Sequence, residues 1–186
     1  MPFPTSEDLR AAVWAIEIPM KAQVEIAVLC LPLAKRIAAD GFKACLSGEA
    51  ADEIFGGYGS MCIKAGKLDD VGWRELRAGQ VEKMGRGNFV RCNKAFMAHG
   101  VECRLPFADR AMVEWALSMS KAQCPPAKKL LKESLRGLVP EWVIKRPKET
   151  FQGGAGVNAW CESLFSNPRA AYNRMAAEMF DGIPLT

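Results

Sequence analysis

The chain has 186 residues, 49% apolar and 25% charged, a balance that builds a buried core and excludes a wholly disordered polypeptide. Its net charge of +4 and pI of about 8.7 come from scattered Lys and Arg. No long basic stripe with interleaved aromatics is present, so no nucleic-acid partner is expected and a small anionic ligand such as a nucleotide is the economical alternative.

In chain order, Thr5-Ser6-Glu7-Asp8 followed by Leu9, Val13 and Ile16 predicts a capped helix with an apolar face, ended by Pro19. Val24–Leu31 reads equally as a strand or a buried helix. Pro32 suits the first turn of a helix whose buried side is Leu33, Ile37 and Ala38, and Asp40-Gly41 is its C-cap. Phe42–Leu46 is a short, mostly apolar run that predicts a buried strand ending in the tight turn Ser47-Gly48. Beyond Ala51 the pattern is helical, over Trp73–Met84, Val90–His99, Arg110–Met119, Lys128–Leu138, Val157–Phe165 and Arg169–Met179. Loops are marked by Gly56-Gly57-Tyr58-Gly59, Leu105-Pro106, Pro125-Pro126 and Gln152-Gly153-Gly154. One convincing strand among so many helices is odd for a self-contained α/β domain, because its ladder groups need partners.

Seven cysteines occur, at 30, 45, 62, 92, 103, 124 and 161, with no pair at zinc-type spacing. Buried free thiols in a reducing compartment are the reading they support. The single histidine, His99, builds neither a metal site nor a Ser-His-Asp triad with its sequence neighbours. The N-terminus lacks a basic, then apolar, leader, and the longest apolar run is broken by Glu25 and Pro32. A cytoplasmic, non-membrane chain is therefore expected. Lys128, Lys129, Lys132 and Arg136 fall at helical spacing and read as a solvated face.

The chemistry concentrates in Leu46-Ser47-Gly48-Glu49-Ala50-Ala51-Asp52-Glu53-Ile54-Phe55-Gly56-Gly57-Tyr58. It is a strand end, a small-residue turn and a helix start bearing three carboxylates. Such carboxylates serve either as helix stabilisers or as donors for a magnesium ion beside a substrate. Spacing leaves both open. The adjacent glycines read as structural, permitting unusual backbone angles.

This segment resembles the signature of the asparagine synthetase family. Three further blocks match in the same order: Arg91–Lys94 through Gly100–Asp109; Lys129–Lys132 leading to Gly137–Pro140 and Val143-Ile144; and Arg146–Phe151 with Gly153–Gly156. Together with weaker upstream similarity they cover roughly residues 12–165, leaving 166–186 as a helical extension of one partial synthetase domain. The resemblance implies a partial α/β fold of the adenine-nucleotide α-hydrolase-like (PP-loop ATPase) type, predominantly helical with one or two parallel strands. It also implies an ATP-dependent ligase that activates a carboxylate, aspartate by default, as an acyl-adenylate for attack by ammonia or an amine.

Position by position, the resemblance makes Glu49 the residue that takes a proton from the incoming nitrogen and Lys148 the one that stabilises charge on the pyrophosphate side. Asp52 becomes the magnesium ligand, and Ser47, Gly48 and Arg146 line the nucleotide or substrate pocket. Glu102 and Arg104 are expected to form a structural ion pair. The family's Ser-Gly-Gly-x-Asp-Ser pyrophosphate loop and its glutaminase domain have no counterpart here, and Ala50 stands where the family has glycine. The implied partners are thus ATP, magnesium, a small carboxylate, and a complementary chain carrying that loop or a second copy of this one. A non-catalytic binding module of the same descent is the alternative.

Overall fold

The computed structural model describes residues 3–181, which divide into two units. The first is assembled from residues up to 45, 86–104 and from 149 onward; the second from 46–85 and 105–148.

In the first unit, helix α1 (Ser6–Ile16) starts as its sequence dictates. The Thr5 hydroxyl accepts from Asp8 N, and Thr5 N donates to the Asp8 carboxylate at 2.7 Å, closing a capping box. Leu9, Val13 and Ile16 are fully buried, as their spacing requires. Helix α2 (Lys21–Ala39) then runs unbroken with Pro32 inside it. This resolves the ambiguity over Val24–Leu31 in favour of helix and corrects the expected helix start at Pro32. An internal proline costs about 3 kcal/mol, but α2 buries Val24, Ala27, Val28, Cys30 and Ala34. Each valine alone contributes about 1.5–3 kcal/mol, so packing prevails. Of the expected buried side, Ile37 and Ala38 are half-buried, but Leu33 is exposed and Ala34 takes the buried place beside it. Asp40 and Gly41 do end the helix: Phe42 N donates to Ile37 O, Gly41 N to Ala38 O, and Gly41 takes φ +86°.

The first strand, β1 (Ala44–Leu46), pairs in parallel with β2 (Glu102–Arg104). Glu102 N donates to Lys43 O at 2.8 Å. The expected solitary strand therefore has a partner within the chain. Nor is β1 buried: Ala44 and Cys45 are half-buried and Leu46 is 75% exposed. Helices α6 (Asn88–Met97) and α12 (Pro168–Phe180) pack on α1 and α2, α11 (Val157–Leu164) packs on α2 and α12, and α6 also covers β2. Arg104 grips Glu102 through two nitrogens at 3.1 and 3.2 Å, the expected ion pair, and both side chains are exposed.

Glu25 is buried in this unit, 3.1 Å from Lys21 Nζ and 3.5 Å from the Tyr172 hydroxyl, with Cys161 and Glu162 nearby. Burial raises its pKa above the ordinary carboxyl value, a push that Lys21 only partly reverses. A carboxyl raised on folding contributes stability that is complete below its unfolded pKa and is lost as pH climbs through the folded one. Glu25→Gln is therefore expected to gain stability relative to the parent as pH rises from 4 to 8, read from denaturation midpoints across that range. A constant difference would contradict it. Beside Glu25 lies a cavity of about 590 Å³, also lined by Lys21, Gln152, Asn158, Arg169 and Asn173.

The second unit holds α3 (Ala51–Ile54), α4 (Gly59–Ala65), α5 (Asp70–Met84), a 3-10 turn (Pro106–Ala108), α7 (Arg110–Ser118), α8 (Lys129–Ser134) and α9 (Glu141–Lys145). Ala51, Ile54, Phe55, Ala116 and Cys124 form one core, and Met61, Ala65 and Trp73 a smaller one. Arg77, fully buried on α5, donates to Ile54 O (3.1 Å), Ala116 O (2.7 Å) and Met119 O (2.9 Å), and its guanidinium lies 5.5 Å from the Trp73 ring centroid. It closes the carboxyl ends of α3 and α7, where helix dipoles present partial negative charge. In the first unit the expected loop Gln152-Gly153-Gly154 lies in the short helix α10 (Phe151–Gly154), capped by the Thr150 hydroxyl. Among the described residues, no helix is long and apolar enough to cross a membrane.

Candidate active site

The site is built where β1 runs out. Leu46 leads into Ser47-Gly48-Glu49-Ala50, and α3 begins at Ala51. Glu49 N donates to the Ser47 hydroxyl at 3.3 Å and Ala51 N to Gly48 O, which folds the turn over itself. Ala50 sits at φ +77°, a left-handed backbone that an L-residue adopts at a cost of about 1–2 kcal/mol. Alanine for glycine is therefore not a neutral change at this turn. Ser47 and Glu49 remain half-buried and Gly48 is exposed, so this stretch is open to a ligand.

Of the three carboxylates in the segment, one turns away. Glu53 is buried and accepts from the Tyr58 hydroxyl, a structural bond across the Gly-Gly turn. Gly56 takes φ +65°, as expected for a glycine that sets the chain's direction. Gly57 has a different reason: a Cβ there would lie 1.8 Å from Asp52 Oδ1 and 3.0 Å from Lys128 Cδ. The second glycine makes room for the Asp52 carboxylate.

Asp52 is the centre of the cluster. Lys148 Nζ donates to its Oδ2 at 2.7 Å, bridging 96 positions of sequence. Lys128 Nζ lies 2.7 Å from Oδ1, an ion-pair contact off the direction of a good hydrogen bond. Burial alone would raise the Asp52 pKa; Lys128 and Lys148 outweigh it and hold the carboxyl below its ordinary value. The aspartate is therefore ionised at neutral pH, and the trio carries a net charge of +1.

Lys128 does not belong to the expected solvated helix face: it precedes α8, is half-buried and is paired with Asp52. Ala127 and Lys128 both have positive φ, 67° and 56°. Ala127 N donates to Gly56 O and Lys128 N to Phe55 O. These two bonds pin the Pro125-Pro126 loop to the Gly-Gly turn and aim Lys128 at Asp52, ahead of α8 rather than along its face. The sequence signal was the proline pair, which marks an irregular approach, but nothing there names Asp52 as the target. Arg146 is exposed two residues before Lys148, at the end of α9. Lys148 itself is 42% exposed, long enough and free enough to turn.

Asp52 is a carboxylate of the kind magnesium uses beside substrate phosphates, but two ammonium groups hold it here, and among the described residues no three acidic, histidine or cysteine side chains gather around one metal position. Both oxygens face lysines as the cluster stands. Asp52 would hold a magnesium ion only by giving up one of these ammonium contacts.

The family model described as asparagine synthase matches residues 5–77 and 67–181. Asparagine synthetase B [glutamine-hydrolyzing] of Escherichia coli is 33% identical over 139 residues, covering 71% of this chain and 24% of its own length. Asparagine synthetase [glutamine-hydrolyzing] 1 of Saccharomyces cerevisiae is 30% identical over 163 residues, 80% of this chain and 27% of its own. The asparagus (Asparagus officinalis) asparagine synthetase [glutamine-hydrolyzing] is 30% identical over 149 residues. The chain thus spans about a quarter of the length of the curated relatives it matches. With its ordered motifs and matched extent, the chain belongs to the asparagine synthase family.

Proposed function

We propose that this chain supplies the acid-and-lysine half of an ATP-dependent, asparagine-synthetase-like ligase of the PP-loop ATPase type. The observation that carries the reading is the convergence of Lys148 and Lys128 on Asp52 at the open end of β1. Glu49, on the same turn, takes the proton of the attacking ammonia or amine. Lys148 leaves Asp52 to face the charge that builds on pyrophosphate as the carboxylate, aspartate by default, becomes an acyl-adenylate. Lys128 stays on Asp52 and keeps it oriented. Magnesium, held by Asp52 when bound, would neutralise charge on the phosphates. Ser47, Gly48 and Arg146 border the nucleotide.

A complementary polypeptide brings the pyrophosphate loop and further strands. Exposed Leu46 and Phe42 at either end of β1 support that arrangement. The chain with its complement is expected to catalyse ATP–pyrophosphate exchange that depends on the carboxylate substrate. Lys148→Ala should lower exchange by roughly 10²–10³-fold, the usual effect of removing a fixed donor from developing charge. Glu49→Gln should leave exchange intact and lose amide formation. Full activity in both variants would overturn these roles. A non-catalytic module is the second reading, favoured by one observation: the Asp52 clamp is complete without any ligand. No exchange with any complement would decide for it.

A further inference from the structure

Three of the seven thiols, far apart in sequence, meet in the first unit. Cys92 on α6 and Cys103 in the middle of β2 lie with their sulfurs 3.1 Å apart, and Cys45 on β1 contacts Cys103. All are free. A disulfide holds its sulfurs at about 2.05 Å, so closing the Cys92–Cys103 gap needs movement of about 1 Å. Packing of α6 on β2 already holds the two elements together. We propose that Cys92 and Cys103 are a reversible oxidation site, closing to an intramolecular disulfide when the chain meets a small-molecule disulfide such as oxidised glutathione.

The two cysteines have complementary exposure. Cys103 is half-buried and reachable from solvent, whereas Cys92 is 3% exposed. Cys103 attacks the external disulfide as a thiolate, forming a mixed disulfide and expelling one thiol. Cys92 sulfur then attacks the Cys103 sulfur, expelling the second. Two protons and two electrons pass from the cysteine pair to the external disulfide, which becomes two thiols. Cys45 stays out: burial, then its Cys103 neighbour, push its pKa up to about 11. Since the thiolate is the nucleophile, Cys45 remains an unreactive neighbour at neutral pH.

The test uses the full chain, treated with oxidised glutathione, quenched in acid, alkylated in denaturant and digested with trypsin without reduction. Cleavage after Arg91, Lys94 and Arg104 separates the two cysteines. The expected product joins Cys92–Lys94 to Ala95–Arg104, is lighter than the free peptides by two hydrogens, and disappears on reduction. Cys92→Ser should instead trap glutathione on Cys103. If that variant does not fold, the parent still decides, because its oxidised form should keep its far-UV spectrum and melt no lower than the reduced form. A Cys45–Cys103 linkage, glutathione adducts without cross-linking, or a cross-linked chain that has lost its native spectrum would each overturn the assignment.

Discussion

Arg77→Met should destabilise the second unit by about 3–5 kcal/mol, a large share of the total for a domain of this size. Methionine fills much of the volume, so the loss is electrostatic rather than a cavity. Three carbonyls, of Ile54, Ala116 and Met119, lose a charged donor at 2.7–3.1 Å. Hydrogen bonds to a charged group contribute about 1.5–3 kcal/mol each, discounted because a carbonyl keeps a second lone pair. The contact with the Trp73 ring is lost as well. Burial pulls the guanidinium pKa down, yet arginine starts so high that it stays charged. Arg77→Lys should recover only part of the stability, since one ammonium cannot span three acceptors. Urea denaturation of the three proteins checks the order; equal midpoints would remove Arg77 from its structural role.

Gly56→Ala and Gly57→Ala are adjacent methyl additions with different expected outcomes. At Gly56 the methyl would meet Trp73 Cη2 at 2.3 Å, and the residue would be held at φ +65°. Trp73 is fully buried and donates to Cys124 O at 2.8 Å, so the ring cannot yield. Left-handed strain and overpacking together cost about 2–4 kcal/mol. At Gly57 the methyl meets Asp52 Oδ1, a side-chain atom that can swing away. Gly57→Ala should therefore fold with a smaller loss and break the lysine clamp, and, on the proposed ligase reading, remove pyrophosphate exchange by the chain with its complement. Thermal melting and exchange measured side by side separate the two. A Gly57→Ala protein with full exchange would contradict the role given to Asp52's position.

How much of this was legible depended on whether the governing interaction was local. Thr5 and Asp8 announced α1 because a capping box is a four-residue event. The helical content of α5, α6 and α12 followed from apolar spacing. The continuity of α2 was hidden because Pro32 is a local breaker overruled by burial along the whole helix. The second strand was hidden too: Glu102-Cys103-Arg104 offers one apolar residue in three, and only pairing with β1 makes it a strand. Residue types and a family resemblance nominated Asp52 and Lys148, but no pattern in the chain brings positions 96 apart together. Lys128 was invisible for the opposite reason, since its helix-like spacing with Lys132 and Arg136 masked a backbone that points elsewhere.

The interleaving of the two units limits how the polypeptide can be shortened. Ending it after Lys148 would strip away α12, and with it Tyr172, Ala176 and Phe180, which lie buried in the first unit, and the Phe180 ring stacked on Trp14. The face of α1 left bare would be oily and adhesive. Minimal versions of this protein must keep their tail even though every residue nominated for chemistry precedes it.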